Sequence, residues 1–187
     1  MSKIFQLARD MAAITRWSHA TCLKPESVLE HTGFVAIYSL RLAYKYDVDT
    51  GEVLERAIVH DMEEVITGDI PTPTKYANEQ IKSAIKSLEE EAAVRISQDY
   101  FYGCMDTPWS KAKDIRDDPG TVVYIADMAA VVYKIWVERA LGNKDFMKYT
   151  ENIYGRLVQA QGFIKTKFLP ELYELIKMVE EIQNEST

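Results

Sequence analysis

The sequence predicts an all-α protein built as a helical bundle. Apolar residues recur at helical spacing through most of the chain, and capping or terminating residues flank those stretches. No segment combines strict alternation with the turn-bounded β-branched residues typical of strands, and we find no internal repeat. The 187 residues can bury a core without disulfides, so we expect one domain over residues 1–187.

The first two helices are predicted from periodicity and from a capping signature. Residues 3–15 place their apolar side chains on one helical face. Residues 16–26 lose that periodicity and predict a loop. Ser27 followed by Glu30 forms a capping box, which predicts a second helix over 28–46.

The third helix is expected to be short and acidic at its end. After turn residues at 47–51, the pattern predicts a helix over 52–67, with Gly68 as its left-handed terminator. Residues 68–74 contain two prolines, which lack backbone donors and fix their own φ angles. We therefore expect a stiff, non-helical loop there.

The second half of the chain is predicted to hold four further helices. Asn78 caps a charged helix over 79–102, and the irregular stretch after it is expected to be the most mobile part of the chain. Asp118, followed by Pro119, is expected to cap the next helix. The remaining helices are predicted over residues 118–141, 144–167 and 171–184.

The composition excludes several functional classes. The chain is 47% hydrophobic and 27% charged, as in globular proteins. Its two cysteines, Cys22 and Cys104, form no spaced framework, which indicates free thiols in a reducing compartment. A net charge of −7 with scattered basic residues disfavours a nucleic-acid polymer as partner and leaves small phosphorylated ligands open.

Nothing in the sequence predicts a membrane partner. The longest run with a single charge, residues 121–133, is too short to cross a bilayer. The first residues form no continuous apolar signal segment. We expect a soluble cytoplasmic protein.

His60 and Asp61 are the first candidates for a metal site. Asp61 lies at helical spacing from three apolar residues, Leu54, Ile58 and Val65, and is expected to point into the core. A carboxylate in that position is costly unless it is paired or binds a cation, and His60 offers a nitrogen ligand beside it. The alternative is a surface dipeptide or a satisfied core pair, since motifs carry false positives.

His31 and Asp127 add two further candidate ligands. His31 lies within the second helix, and Asp127 is the single charge in the run 121–133. Taken alone, His31 also fits a satisfied core histidine, and Asp127 fits a helix–helix contact to Arg or Lys. Two imidazoles and two carboxylates together suit Zn²⁺, Co²⁺ or Mn²⁺, with Mg²⁺ a further candidate, and predict hydrolytic chemistry.

Glu64 is the candidate general acid or base. It lies one turn beyond His60 and three residues beyond Asp61, so it can reach the open side of the same centre. The alternative is a solvated member of the acidic pair Glu63–Glu64. Glu63 falls on a different face, so we prefer Glu64.

The order of these residues resembles the HD-domain metal phosphohydrolases. Longer segments narrow the resemblance to the bacterial 5'-deoxynucleotidase family called YfbR, whose fold is an HD-domain helical bundle. Residues 4–80 resemble that family closely, as does the neighbourhood of Ala126–Asp127, and the rest matches only as generic helices. The segments that carry the resemblance are Arg16-Trp17, residues 27–31, residues 60–73 and Lys75-Tyr76.

The resemblance implies a role for each residue of the metal motif. It implies metal binding by the two histidines and the two aspartates, with Asp61 also a catalytic residue and Glu64 activating the attacking water. This set agrees with the ligands inferred from the residues themselves. The implied ligands are His31, His60, Asp61 and Asp127.

The resemblance also implies a substrate site. Arg16 would hold the phosphate, Trp17 would pack against the nucleoside, and Asp69 would meet the sugar hydroxyl and help to exclude ribonucleotides. Lys75 is a second candidate phosphate contact, although a lysine after a loop is usually solvated. Residues 18–20 differ from the family pattern where base preference would be set.

The implied reaction converts a deoxynucleoside monophosphate and water to a deoxynucleoside and phosphate. One alternative is the reaction of the related viral dATP triphosphohydrolases, called DatZ, which share the metal motif and the Arg-Trp pair but release triphosphate. Another is a degenerate HD fold that only binds, against which the intact set of five residues argues. The family further implies a homo-oligomer, either a dimer or a hexamer.

Overall fold

A computed structural model describes residues 3–184 of the protein. Within that range all regular structure is helical, and the one β-type contact is an isolated bridge between Thr15 and Ser27. Two 3₁₀ helices, Lys144–Tyr149 and Thr166–Phe168, accompany the α-helices. The α-helices are α1 Lys3–Ala13, α2 Val28–Tyr46, α3 Thr50–Val59, α4 Glu64–Thr67, α5 Thr72–Lys75, α6 Glu79–Tyr100, α7 Asp106–Ser110, α8 Asp118–Ala140, α9 Thr150–Ala160 and α10 Leu169–Asn184.

Helix α8 is the centre of the fold. It contacts α2 and α3 as well as α9 and α10. Its side chains are buried on nearly all sides, as expected for a helix that is apolar all round. A second, smaller core lies where α1 and α6 meet the segment after α3, around Leu7, Met11 and Ile96. The predicted helical bundle is confirmed.

The helix starts follow the predicted caps with one exception. Ser27 and Glu30 form the capping box of α2, and the Asn78 side chain accepts the Ile81 N–H at the start of α6. At α8 the predicted cap, Asp118, is wrong. Asp117 is the N-cap and accepts the Gly120 N–H at 2.8 Å, which leaves the Asp118 carboxylate to bind lysines from the C-terminal region.

The predicted third helix over 52–67 is interrupted. Helix α3 ends at Val59, and a turn over 60–63 separates it from α4. In this turn hydrogen bonds of the i to i−3 type, such as Met62 N–H to Val59 C=O at 3.2 Å, replace the α-helical bonds. The apolar face that was predicted to contain both Ile58 and Asp61 is wrong, because Ile58 is 43% exposed. Asp61 is nevertheless buried, as expected.

The proline-rich loop and its glycine differ from expectation in detail. Gly68 has the predicted positive φ of 72°, but its ψ of 167° is extended rather than left-handed helical. The segment predicted to be non-helical contains α5, because Pro71 precedes the helix and Pro73 lies in its first turn, where no backbone donor is needed.

Two other predicted segments are subdivided. The irregular stretch after α6 contains the short helix α7. The helix predicted over 144–167 consists of a 3₁₀ helix, then α9, then turns around Gly162 before a second 3₁₀ helix. Helix α10 begins at Leu169, two residues before its predicted start.

Among the described residues, α8 is the one helix long and apolar enough to cross a membrane by length and composition. Its 23 residues include a window of mean hydropathy 1.4. The apolar part of this helix is therefore longer than the run 121–133 considered from the sequence. However, 72% of that window is buried inside the protein. Burial in the core accounts for the apolar composition.

A buried polar network attaches the loop 16–26 to α8. Glu138 is fully buried, and its carboxylate accepts bonds from Lys134 at 2.6 Å and from Asn143 at 2.7 Å. The same carboxylate accepts the backbone N–H groups of Leu23 at 2.8 Å and Lys24 at 3.0 Å. The Glu138 side chain of α8 therefore holds the backbone of the loop at Leu23 and Lys24.

We expect Glu138→Gln to cost about 3–5 kcal/mol of unfolding free energy, because the buried Lys134 ammonium would lose its counter-charge. Urea denaturation followed by circular dichroism measures the change. The matched control is Glu181→Gln, which breaks an exposed i,i+4 pair with Lys177 and should cost less than about 0.5 kcal/mol. Equal losses in the two variants would contradict a structural role for the Glu138 network.

Candidate metal centre and active site

The four predicted ligands meet at one place. His31 comes from α2, His60 and Asp61 from the turn after α3, and Asp127 from the middle of α8. None of the four is more than 6% exposed. Three separate parts of the chain therefore bring two imidazoles and two carboxylates together inside the protein.

The ligand atoms of His31, His60 and Asp127 all lie within 4.8 Å of one another, close enough to share one ion, and Asp61 lies against the two imidazoles. The Nε2 atom of His31 is 3.2 Å from the Nε2 atom of His60 and 3.2 Å from Asp127 Oδ1. Asp61 Oδ2 is 3.1 Å from His60 Nε2 and 3.6 Å from His31 Nε2. Ligands that each lie about 2.0–2.1 Å from a Zn²⁺ ion are themselves about 3 Å apart. The spacing fits a divalent transition metal.

The burial and hydrogen bonding of the two imidazoles suit metal ligation. His60 Nδ1 lies 2.7 Å from the Ala57 carbonyl, so this nitrogen donates and Nε2 keeps its lone pair. Burial, assisted by the nearby Arg16 guanidinium, lowers the pKa of His31 to about 4. His31 is therefore neutral at pH 7. The Nε2 atoms of the two histidines face each other at 3.2 Å, as candidate ligands of one ion.

Two basic side chains contact the carboxylates. Arg16 Nη1 donates to Asp61 Oδ2 at 2.9 Å. Lys113 Nζ donates to Asp61 Oδ1 at 3.1 Å and to Asp127 Oδ2 at 3.3 Å. Burial alone would raise the pKa of the Asp61 and Asp127 carboxyls, but His60 at Asp61 and Lys113 at both hold it well below its usual range. Both carboxylates are ionised at neutral pH.

Sequence reasoning did not identify Lys113. It follows α7 in the stretch expected only to be irregular, and neither periodicity nor a motif distinguishes it from other lysines there. Burial lowers the pKa of its ammonium, but Asp127 and Asp61 more than offset this and raise it above the usual value. Lys113 therefore carries a positive charge at the centre at neutral pH.

Glu64 and Glu63 have different surroundings. Glu63 is 7% exposed, and its carboxylate accepts the Trp109 indole N–H at 2.7 Å. Glu64 Oε2 is buried and has no hydrogen-bond partner among the described residues. Burial and the charge of Asp61 raise the pKa of Glu64 to about 9. A divalent cation beside Asp61 would lower that pKa again, toward the range in which Glu64 accepts a proton.

The loop 16–26 places an aromatic group beside this centre. Trp17 adopts a φ of 62°, a left-handed conformation that is strained for a residue with a side chain. Its backbone N–H donates to Asp69 Oδ2 at 2.7 Å, which holds the strained residue in place. Asp69 thus connects the loop to the segment after α4.

Trp17 belongs to an aromatic cluster that the sequence did not predict. Its ring centroid lies 5.2 Å from that of Tyr149 and 5.3 Å from that of Phe146, both in the first 3₁₀ helix. His19, inside the stretch 18–20 that departs from the family pattern, stacks at 6.1 Å from Trp17. These rings form a wall beside the predicted nucleoside position.

Lys75 is held by another partner. Its ammonium donates to Glu89 of α6 at 2.7 Å. This ion pair agrees with the alternative that Lys75 is an ordinary lysine near the surface, 32% exposed. A phosphate contact by Lys75 stays a prediction.

Comparison with known proteins agrees with this geometry. A 5'-deoxynucleotidase YfbR of Escherichia coli is 27% identical over 189 aligned positions, which cover 92% of each chain. The crystal structure of an HD-domain phosphohydrolase from Listeria innocua superposes with a TM-score of 0.74 at 22% identity, covering 98% of both chains. The HD phosphohydrolase DatZ of cyanophage S-2L, bound to dA and one catalytic Zn²⁺, gives a TM-score of 0.64 at 17% identity over 94% of this chain and 96% of its own.

The family itself is shown by a sequence model rather than by these pairwise likenesses. The model described as 5'-deoxynucleotidase YfbR-like matches residues 3–176. That range contains every residue of the metal cluster and of the predicted substrate site, including the segments beyond residue 80 that carried little of the sequence resemblance. The chain belongs to the YfbR-like 5'-deoxynucleotidase family.

Proposed function

We propose that this protein is a divalent-metal-dependent 5'-deoxynucleotidase, which hydrolyses deoxynucleoside monophosphates to deoxynucleosides and phosphate. The observation that carries the proposal is the meeting of two imidazoles and two carboxylates in a buried centre beside Arg16. Family membership supports the same reaction. The proposed substrate class is small, in keeping with the acidic net charge of −7.

The metal would be held by the four clustered ligands. A mixed nitrogen and oxygen donor set suits Mn²⁺, Co²⁺ or Zn²⁺, with Mg²⁺ a weaker candidate because it prefers oxygen ligands and water. Bound there, such an ion supplies Lewis acidity toward the phosphoryl group. The residues that would hold it are His31, His60, Asp61 and Asp127.

Arg16 and Glu64 have the spare bonding capacity that the reaction needs. Arg16 Nη1 is bonded to Asp61, and its buried Nε lies 3.5 Å from Glu26 Oε2 without a hydrogen bond among the described residues. A guanidinium carries further N–H donors, so Arg16 can still donate to a phosphate oxygen. Glu64 has one unpartnered buried oxygen. It would take a proton from the attacking water as the new P–O bond forms, and the bond from phosphorus to the 5' oxygen would break. Glu64 would then pass that proton to the departing oxygen, which leaves as the 5'-hydroxyl of the deoxynucleoside.

Trp17 and Asp69 would hold the nucleoside. The wall formed by Trp17 and Tyr149 offers an apolar surface for the base or sugar. Asp69 uses Oδ2 for the Trp17 N–H, which leaves Oδ1 to accept a sugar hydroxyl proton. A 2'-hydroxyl crowded against the same wall would be disfavoured, which supports selection against ribonucleotides.

The direct test is to incubate manganese-loaded protein separately with dAMP, dATP and AMP and to identify the products by ion-exchange chromatography. We expect deoxyadenosine and phosphate from dAMP and at least tenfold slower turnover of AMP. Release of triphosphate from dATP would instead establish a DatZ-type reaction. No turnover of any of the three would favour a binding module.

Glu64→Gln should retain the metal and lose turnover by roughly a hundredfold or more, because a general base contributes on that scale. The matched control is Glu63→Gln, whose amide oxygen can still accept the Trp109 N–H and whose turnover should change little. Asp61→Ala should lose the metal as well as the activity. Elemental analysis and initial rates measure both properties, and an active Glu64→Gln variant would refute the assigned role.

We infer that the protein forms a homo-oligomer through an aromatic face shared by α2 and α8. Phe34 and Tyr133 stack across the two helices at 5.3 Å, and Trp136 and Ile37 beside them are 47% and 75% exposed. Apolar groups of this kind on adjacent helices are typical of subunit contacts. A dimer is the simplest assembly that covers the face, and a hexamer built from dimers is the alternative.

Light scattering should give at least twice the monomer mass for the unaltered protein. Trp136→Glu should reduce the mass to that of a monomer, since it places a charge in the aromatic face. The control is Tyr102→Glu, because Tyr102 is 97% exposed on a distant turn and its substitution should not alter the mass. A monomeric unaltered protein would refute the oligomer.

We further infer a single-domain cytoplasmic protein. Helix α8, the apolar centre of the bundle, contacts helices from both halves of the chain, which supports one domain over 1–187. Cys22 and Cys104 are both free, in keeping with a reducing compartment.

A further inference from the structure

Lys113 lies between carboxylates that belong to two different parts of the chain. Its ammonium is 3.1 Å from Asp61 Oδ1 and 3.3 Å from Asp127 Oδ2. Both aspartates also contact the imidazoles of the cluster. The lysine therefore makes the type of contact with these carboxylates that a bound cation would make.

The backbone around Lys113 is held by the fold. Ala112 is 2% exposed, and the Lys111 carbonyl accepts a hydrogen bond at 3.0 Å from Arg56, a buried residue of α3. Arg56 also forms two-pronged hydrogen bonds with Asp117, at 2.8 and 3.0 Å. The segment that carries Lys113 is thus attached to the same helix that leads into His60 and Asp61.

The side chain, unlike its backbone, has room to move. The Lys113 side chain is 37% exposed, whereas the side chains of Asp61 and Asp127 are each 8% exposed. A flexible four-carbon stem can turn its ammonium outward while the backbone stays fixed. The carboxylates cannot make a comparable movement, because both are enclosed.

The charges around Asp61 and Asp127 indicate when an outward turn of the Lys113 ammonium is favourable. Without a metal, hydrogen bonds pair the positive charges of Arg16 and Lys113 with the negative charges of Asp61 and Asp127, while Glu26 lies 3.5 Å from Arg16. A divalent cation on the same carboxylates adds two positive charges to this group. A phosphate monoester dianion would neutralise those added charges. Lys113 would then repel the metal if it stayed, and would attract the phosphate if it turned outward.

We propose that Lys113 is a displaceable cation, which neutralises Asp61 and Asp127 in the metal-free protein and turns to bind the substrate phosphate when the metal takes its place. The proposal rests on the proposed metal-dependent function. It assigns Lys113 a task that no predicted site residue has. It also gives the segment after α7 a direct part in substrate binding.

The competition is tested with Lys113→Met, which keeps the length of the stem and removes the charge, and with Lys111→Met as the control on the exposed neighbour. Titration calorimetry with Mn²⁺ on chelator-treated protein should show roughly tenfold tighter binding by Lys113→Met, because one competing charge is gone. The melting temperature of the metal-free variant should fall by several degrees, because the two buried carboxylates lose a counter-charge. Lys111→Met should match the unaltered protein in both measurements.

The phosphate contact is tested by steady-state kinetics of the manganese-loaded variants on dAMP. We expect Lys113→Met to raise KM about tenfold with a smaller change in kcat, and Lys113→Arg to restore most of the affinity. An unchanged Mn²⁺ affinity together with an unchanged melting temperature would overturn the proposal, and so would an unchanged KM. If the unaltered protein bound no Mn²⁺, the proposed function itself would fail. The metal-free melting temperatures would still show whether Lys113 pairs with the carboxylates.

Discussion

The arrangement of this protein depends on two ionised carboxylates that are enclosed by the core. Asp61 and Asp127 lie on different parts of the chain, and each is 6% exposed. An isolated carboxylate in such a place would be protonated or would destabilise the fold. Positive charge must therefore be supplied at this point, and Arg16 and Lys113 come from two further segments to supply it.

Two polar networks hold the segments that carry Arg16 and Lys113. Arg16 can reach Asp61 because the loop 16–26 is closed at its ends and attached to α8 through the Glu138 network. Lys113 can reach both aspartates because Arg56 holds the segment around it against α3. Each cation therefore has an ion pair behind it, the buried Lys134–Glu138 pair for Arg16 and the partly exposed Arg56–Asp117 pair for Lys113.

The break between α3 and α4 has a direct chemical consequence. In a continuous helix, His60 and Asp61 would point about 100° apart, as successive residues do at 3.6 residues per turn. The tighter turn over 60–63 lets both reach one point, where His60 Nε2 and Asp61 Oδ2 are 3.1 Å apart. The same turn also places Glu63 and Glu64 in different surroundings. The Glu63 carboxylate accepts the Trp109 indole N–H, whereas Glu64 Oε2 has no hydrogen-bond partner among the described residues.

The local signals in the sequence were sufficient to predict the bundle and the four candidate metal ligands that the fold brings together. Capping residues such as Ser27 and Asn78 act within one helical turn, so their effect is visible in a short stretch of sequence. His31, His60, Asp61 and Asp127 could be identified because polar residues inside apolar helices, in the order of a known family, are unusual enough to mark a site. Their identification did not require knowing the exact faces, and the apolar face assigned to Ile58 was in fact wrong.

Other features were decided only by tertiary structure. The position of Lys113, the pairing of Lys75 with Glu89 and the aromatic wall around Trp17 all depend on contacts between residues distant in sequence. A lysine in an irregular stretch carries no local sign of which carboxylate it will meet, because long-range packing chooses its partner. What the sequence alone determined is therefore the all-helical bundle with its longer helices, though not the break after α3, and the chemical types gathered in the site. The fold decided which charged side chains pair in the site and which have no partner among the described residues, because electrostatic partners are set by distance in space.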